Sequence, residues 1–233
     1  MLPEPSILPS FLIGLDLGQF RDFTALCVVE RRESPGGATY DVRHLDRWRG
    51  VSYVEVPARV RAVLAGLQDA ARRHDLDRFR RIDVTRADAT LVVDMTGVGI
   101  AVVDLLRDAD LDPVPITITG GDAVAGDEDA GFRVPKRELA GRVQVLLQAR
   151  RLRIAAGLPL ADTLVGELKG FRAKISLAGH DTYAAGDDWR SGSHDDLVLA
   201  TAMAVWLGEH RAGATLRPAS PDIRRHFTGA WDG

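Results

Sequence analysis

The chain has 233 residues, 45% of them hydrophobic and 27% charged, with a mean hydropathy of −0.06. These values fit a globular protein and exclude disordered and collagen-like classes. No apolar run approaches the roughly 18 to 20 residues that cross a bilayer, and MLPEPSILPS has neither a basic n-region nor a long apolar h-region. The expectation is a cytoplasmic protein with no membrane partner. A single cysteine, Cys27, excludes an internal disulfide framework and a zinc site built on several thiolates. The net charge of −3 conceals an asymmetry: residues 1–132 carry 15 Lys/Arg against 22 Asp/Glu, and residues 133–233 carry 15 against 11. A cation site and a polyanion site can coexist in such a chain.

In chain order, FLIGLD (Phe11–Asp16), TALCVVE (Thr24–Glu30) and YDVRHLDRW (Tyr40–Trp48) read as a three-stranded antiparallel meander, with a turn at Ser34-Pro35-Gly36-Gly37. Residues 54–74 form an amphipathic helix, with Val56, Val60, Val63, Leu64 and Leu67 on one face. TLVVD (Thr90–Asp94), the turn Thr96-Gly97-Val98-Gly99, a helix over Ile100–Ala109 and a strand over Val114–Thr119 complete a strand, turn, helix, strand unit. Gly120–Gly131 is acidic and aperiodic and reads as a loop. Pro135 opens a helix to about Arg151, and Pro159–Leu168 forms another. Phe171–Ala184 reads as a hairpin turning at Ala178-Gly179. Ser193 precedes a helix from His194 to about Gly208. The domain is expected over residues 11–210, between an N-terminal extension (1–10) and a polar, loosely held tail (211–233).

Asp16 and Asp94 each end an apolar run, which puts their carboxylates at strand ends, where open α/β sheets form ligand crevices. Asp195 and Asp196 fall in the first turn of the last helix. Carboxylates of this kind suit Mg²⁺ or Mn²⁺, hard cations that take oxygen ligands and retain water. Each acid also has an ordinary reading, as a turn former or as a helix-start residue answering the macrodipole.

The segments IGLDLG with DFTA following, LVVDMTGVG, VPK and HDDLVLA, in this order over about residues 11 to 207, resemble the C-terminal nuclease domain of tailed-phage terminase large subunits. The resemblance implies an α/β, RNase H-like fold with a central mixed sheet, and hydrolysis of phosphodiester bonds in double-stranded DNA by two Mg²⁺ or Mn²⁺ ions. It makes Asp16, Asp94 and Asp196 the metal-binding and catalytic triad. Asp195 adjoins the triad, and Asp22 approaches from the turn after the first strand. His194 stands at the same helix start, where a capping or surface role is the commoner one.

Residues 133–153 hold seven Lys/Arg and one Glu. Arg133, Lys136 and Arg137 are candidate phosphate contacts, and Lys136 matches the family's VPK segment. Arg150, Arg151 and Arg153 read as a solvated helix face. Lys169, Arg172 and Lys174, on the expected hairpin, form a second candidate DNA-facing group. None of the 14 aromatic residues is interleaved with basic ones as a single-strand stacking platform, which favours duplex backbone recognition.

No GxxxxGK[ST] motif is present, so translocation by a packaging ATPase does not carry over from the family. A separate ATPase, a small terminase subunit or a portal are the partners this implies. Two further readings share the fold: a Holliday-junction-resolvase-like nuclease, and a DNA-binding or assembly module without cleavage. The sugar-kinase and actin superfamily also has a first loop like GLDLGQFRDFTA, but it needs two such domains.

Overall fold

The computed structural model describes residues 10–18, 22–73, 89–97, 100–178 and 195–216. The three expected β-rich segments form β1 (Ser10–Asp16), β2 (Phe23–Arg32) and β3 (Thr39–Arg49), joined as an antiparallel meander. After α1 (Val56–Arg73), β4 (Ala89–Asp94) lies parallel beside β1, so the chain switches from antiparallel to parallel pairing at the central strand. Helix α2 (Ile100–Asp108) then leads to β5 (Val114–Thr119), parallel to β4.

The next segment departs from the expected loop. Ala125–Asp127 (β6) and Gly131–Pro135 (β7) pair as a short hairpin, and β7 lies parallel to β5. Pro135 is the last residue of β7, and α3 runs from Lys136 to Gln148. The helix stops short of Arg151, because Arg150 turns into the left-handed region (φ 55°) and Leu152–Ile154 becomes β8, parallel to β3. Helix α4 covers Ala161–Ala178 and replaces the expected hairpin up to Ala178; residues 179–184 lie outside the described part. Helix α5 spans Asp196–Leu216, beginning two residues later and ending eight residues further on than the sequence suggests. The sheet has eight strands in the order β6-β7-β5-β4-β1-β2-β3-β8.

Alternation along the strands divides the core. Ile13, Leu15, Leu26, Val28, Leu91 and Val93 face α1 and α2. Leu12, Ala25, Cys27, Val29 and Val92 face the opposite layer of α3, α4 and α5. Helix α5 is the axis of that layer: all but one of the residues from Leu197 to Leu207 are fully buried or nearly so, because sheet and helices enclose it on every side. It approaches the sheet most closely at Gly14, where a Cβ would stand 1.8 Å from the Ala200 carbonyl oxygen. Glycine at this point of β1 is what allows the helix backbone to touch the strand. At its far end, Arg211 is not loose: its guanidinium bonds Glu128 (2.8 and 2.6 Å) and Thr90 Oγ1 (2.8 Å). Among the described residues, no helix is long and apolar enough to cross a membrane.

Candidate active site

Asp16 and Asp94 are the last residues of β1 and β4. The parallel register pairs Leu15 with Val93, so the two aspartates continue it as neighbours, on strands about 4.8 Å apart. Both share strand parity with residues facing α5, and both are buried at 8% exposure. Burial pushes the Asp16 carboxyl well above the ordinary carboxylate range, and the charges of Asp94, Asp196 and Asp195 push it further, against a lowering by Lys136. Burial raises Asp94 as well, opposed by hydrogen bonds from Thr96 and by Lys136. The Thr96 amide donates to Asp94 Oδ1 (2.7 Å), and Thr96 Oγ1 accepts from the Ile118 amide (2.8 Å). Asp94 thus serves as the turn former and also lies beside Asp16.

The N-terminus of α5 supplies the other acids. Since Ala200 is seated on Gly14, the start of the helix, one turn back, lies over the end of β1. Asp196 is the first helical residue, and Asp195 precedes the helix rather than sitting in its first turn, its carbonyl accepting from the Leu199 amide (2.9 Å). Each acid is held by a cation: Lys136 Nζ lies 2.9 Å from Asp195 Oδ2, and Arg47 Nη2 donates to Asp196 Oδ2 at 2.7 Å. Lys136 reaches the site directly as the first residue of α3, since β7 ends at the same edge of the sheet as β4. Among the described residues, no three His, Cys, Asp or Glu side chains stand close enough to form a ready metal cluster. Asp16 and Asp94 form the pair, while Asp195 and Asp196 act on Asp16 through space.

The remaining predicted residues are more dispersed. Asp22 is exposed, and its charge acts on Tyr53, which it helps to raise. Arg133 is exposed on β7, and Arg137 is tied to Asp122 through both its side chain (2.6 Å) and its carbonyl (3.0 Å). Lys169 is exposed on α4, not on a hairpin; the α4 backbone carries Arg172 and Lys174, whose side chains lie outside the described part, as do Ser193 and His194. Arg151 and Arg153 do not lie on a solvated helix face. Arg151 bonds Ala38 O and Glu209, and Arg153, in β8, grips Asp41 at 2.5 and 2.9 Å.

Two site residues escape the sequence reading. Arg47 on β3 bonds Asp196, and Glu167 on α4 accepts from the Leu197 and Val198 amides (3.0 and 3.2 Å). Burial pushes Glu167 up to about 7, reinforced by Asp196 and opposed by those amides and Arg47. Neither has a motif around it. Gly14 could have been found, because a glycine inside an apolar strand marks a close backbone approach.

A mixed sheet that changes from antiparallel to parallel at its central strand, with carboxylates at the ends of that strand and its parallel neighbour, is the plan of an RNase H-like domain. The sequence matches the family Terminase RNaseH-like domain over residues 13–206, and the chain belongs to that family. No curated protein matches the sequence. Among solved structures, the chain is similar to the large terminase nuclease from thermophilic phage G20c (18% identity, 84% of this chain and 81% of that one, TM-score 0.48). It is also similar to the HK97 bacteriophage large terminase (15%, 86% and 40%, 0.45) and to the human cytomegalovirus terminase nuclease domain in an Mn-soaked, inhibitor-bound crystal (12%, 91% and 89%, 0.46).

Proposed function

We propose that the chain is a divalent-metal-dependent endonuclease acting on double-stranded DNA, with Asp16, Asp94 and Asp196 as its catalytic carboxylates. The observation that carries this reading is the register of Asp16 and Asp94 on adjacent parallel strands beneath the start of α5, within a terminase RNaseH-like domain. The donor set suits Mg²⁺ or Mn²⁺: it is all oxygen, with Asp16 and Asp94 buried and Asp195 and Asp196 partly so, and a cation among the carboxylates would offset the burial and the mutual repulsion that together raise Asp16. Asp16, Asp94 and Asp196 would be the residues to hold the metal, with Asp195 as a further oxygen donor. Two bound ions would supply an activated water and neutralise charge on the scissile phosphate.

The protein's own contribution is positional. Backbone bonds fix Asp94 against β5, and the Gly14 contact fixes the helix that brings Asp196. Lys136, half-exposed beside Asp195, is suited to a backbone phosphate entering the site, and Arg133 and Lys169 extend the exposed basic surface. Such contacts recognise duplex DNA without regard to sequence. The partner we infer, besides DNA, is a packaging ATPase encoded outside these residues, together with a small terminase subunit or portal.

Plasmid cleavage tests the reading. Supercoiled DNA should be nicked and linearised with Mn²⁺ but not with EDTA, and Asp94→Ala should lower the rate by at least about 100-fold. Wild-type protein that cleaves no faster than Asp94→Ala in Mn²⁺ refutes enzymatic function. Retained DNA binding in that case would identify a non-catalytic module.

A further inference from the structure

We propose that Arg47, clamped by Phe23 and Glu167, is a positioning residue that fixes Asp196 for cation binding; the inference rests on the nuclease reading of the same site. Arg47 belongs to the same cross-strand row as the carboxylates. Strand pairing sets Asp16 opposite Ala25 and Ala25 opposite Arg47, all on the face that meets α5. The row therefore reads carboxylate, methyl, guanidinium, and Arg47 stands two strands, about 9.6 Å, from Asp16.

The guanidinium is held from three directions. Its carbon lies 3.9 Å from the centroid of the Phe23 ring, Nη1 is 3.5 Å from Glu167 Oε1 as an ion pair without a hydrogen bond, and Nη2 donates to Asp196 Oδ2. The Arg47 side chain is 12% exposed and that of Glu167 6%. Glu167 uses its other oxygen to take the first amides of α5. One glutamate thus fixes the start of the helix through the backbone and, through Arg47, the direction of the carboxylate that the helix presents. Carboxylates that bind metals are commonly oriented by such partners, whose removal weakens metal binding.

A guanidinium acting only as a nearby positive charge would have the opposite effect, since removing it would strengthen cation binding. A guanidinium acting only in folding would leave metal affinity unchanged. The full chain, free of DNA, should be titrated with Mn²⁺ and the free ion followed by electron paramagnetic resonance, with thermal unfolding recorded alongside. Arg47→Gln should weaken Mn²⁺ binding about 10- to 100-fold. Arg47→Lys keeps the charge but loses the planar fork, so it should also weaken binding. On an Asp196→Asn background, Arg47→Gln should add little.

Unchanged or tighter binding by Arg47→Gln overturns the proposal, as does a loss that persists in full without the Asp196 carboxylate. If Arg47→Gln does not fold, wild-type affinity in Arg47→Lys overturns it equally. Wild-type protein with no saturable Mn²⁺ binding refutes the nuclease reading and this inference together, whereas wild-type binding unaffected at residue 47 refutes this inference alone.

Discussion

Gly14→Ala probes the contact that assembles the site. The new Cβ would lie 1.8 Å from the Ala200 carbonyl oxygen and 2.7 Å from its carbon, both of them backbone atoms, so no rotamer change relieves the clash. Going from 1.8 Å to an ordinary contact of 3.4 Å requires β1 and α5 to separate by about 1.6 Å. Overpacking a core commonly costs about 1 to 3 kcal/mol, and a backbone obstacle in a fully buried layer puts this substitution at the upper end, about 3 kcal/mol. Gly141→Ala in α3 is the control: a Cβ there meets nothing within 4 Å, and the helix should gain up to about 1 kcal/mol. Urea unfolding in EDTA measures both. Cleavage by Gly14→Ala should fall by more than the unfolded fraction explains, because the shift moves Asp196, and a misplacement of about 1 Å can cost about 100-fold in rate. Stability within about 0.5 kcal/mol of wild type, together with wild-type cleavage, would refute the role assigned to this contact.

Two further expectations concern charge. Burial raises Glu167 from 4.5 to about 7, so between those pH values the folded protein holds more proton than the unfolded chain and its stability declines as pH rises. In EDTA the fall in Tm from pH 5 to 7.5 should be shallower for Glu167→Gln than for wild type, and equal slopes would contradict the assignment. Lys136→Ala should weaken duplex binding measured by fluorescence anisotropy with Mn²⁺ on a phosphorothioate duplex, where Asp195 is engaged by the cation, and reduce the slope of log K against log salt by about 0.9. An unchanged slope removes Lys136 from the phosphate contacts.

The parts of the fold legible in the sequence are those with a long period or a strong turn. The meander, the β4 to β5 unit and α1 emerge from alternation, from helical spacing and from Gly-rich turns, and their order points to the mixed sheet. Short elements were not legible: β6 and β8 have three residues each, too few to show alternation, and β7 ends in a proline that reads as a helix start. Phe171–Ala184 reads as a hairpin because apolar and polar residues alternate from Phe171 to Leu177 ahead of Ala178-Gly179, yet residues 171–178 continue α4. At the candidate site, the strand-end positions of Asp16 and Asp94 and the helix-start position of Asp196 are legible because each stands where an apolar run begins or ends. Arg47 and Glu167 are not, since their role comes from strand pairing and helix packing between residues 120 positions apart in the chain.

Charge behaves in the same way. Residues 133–233 carry four more basic than acidic side chains, and the sequence alone suggests a broad polyanion-binding half. In the fold much of that excess is spent internally: Arg137 on Asp122, Arg142 on Glu138, Arg151 on Glu209, Arg153 on Asp41 and Arg211 on Glu128. Several of these partners lie in the acidic first half, so the two halves neutralise one another across the sheet. Lys136 differs from these arginines because its partner, Asp195, is itself a candidate metal ligand. A cation arriving at Asp195 competes with Lys136 for the carboxylate and would free the ammonium for phosphate. By this logic metal binding and DNA binding are linked at a single lysine, and Mn²⁺ should tighten duplex binding to an Asp94→Ala protein less than to one whose cleavage is blocked by a phosphorothioate substrate.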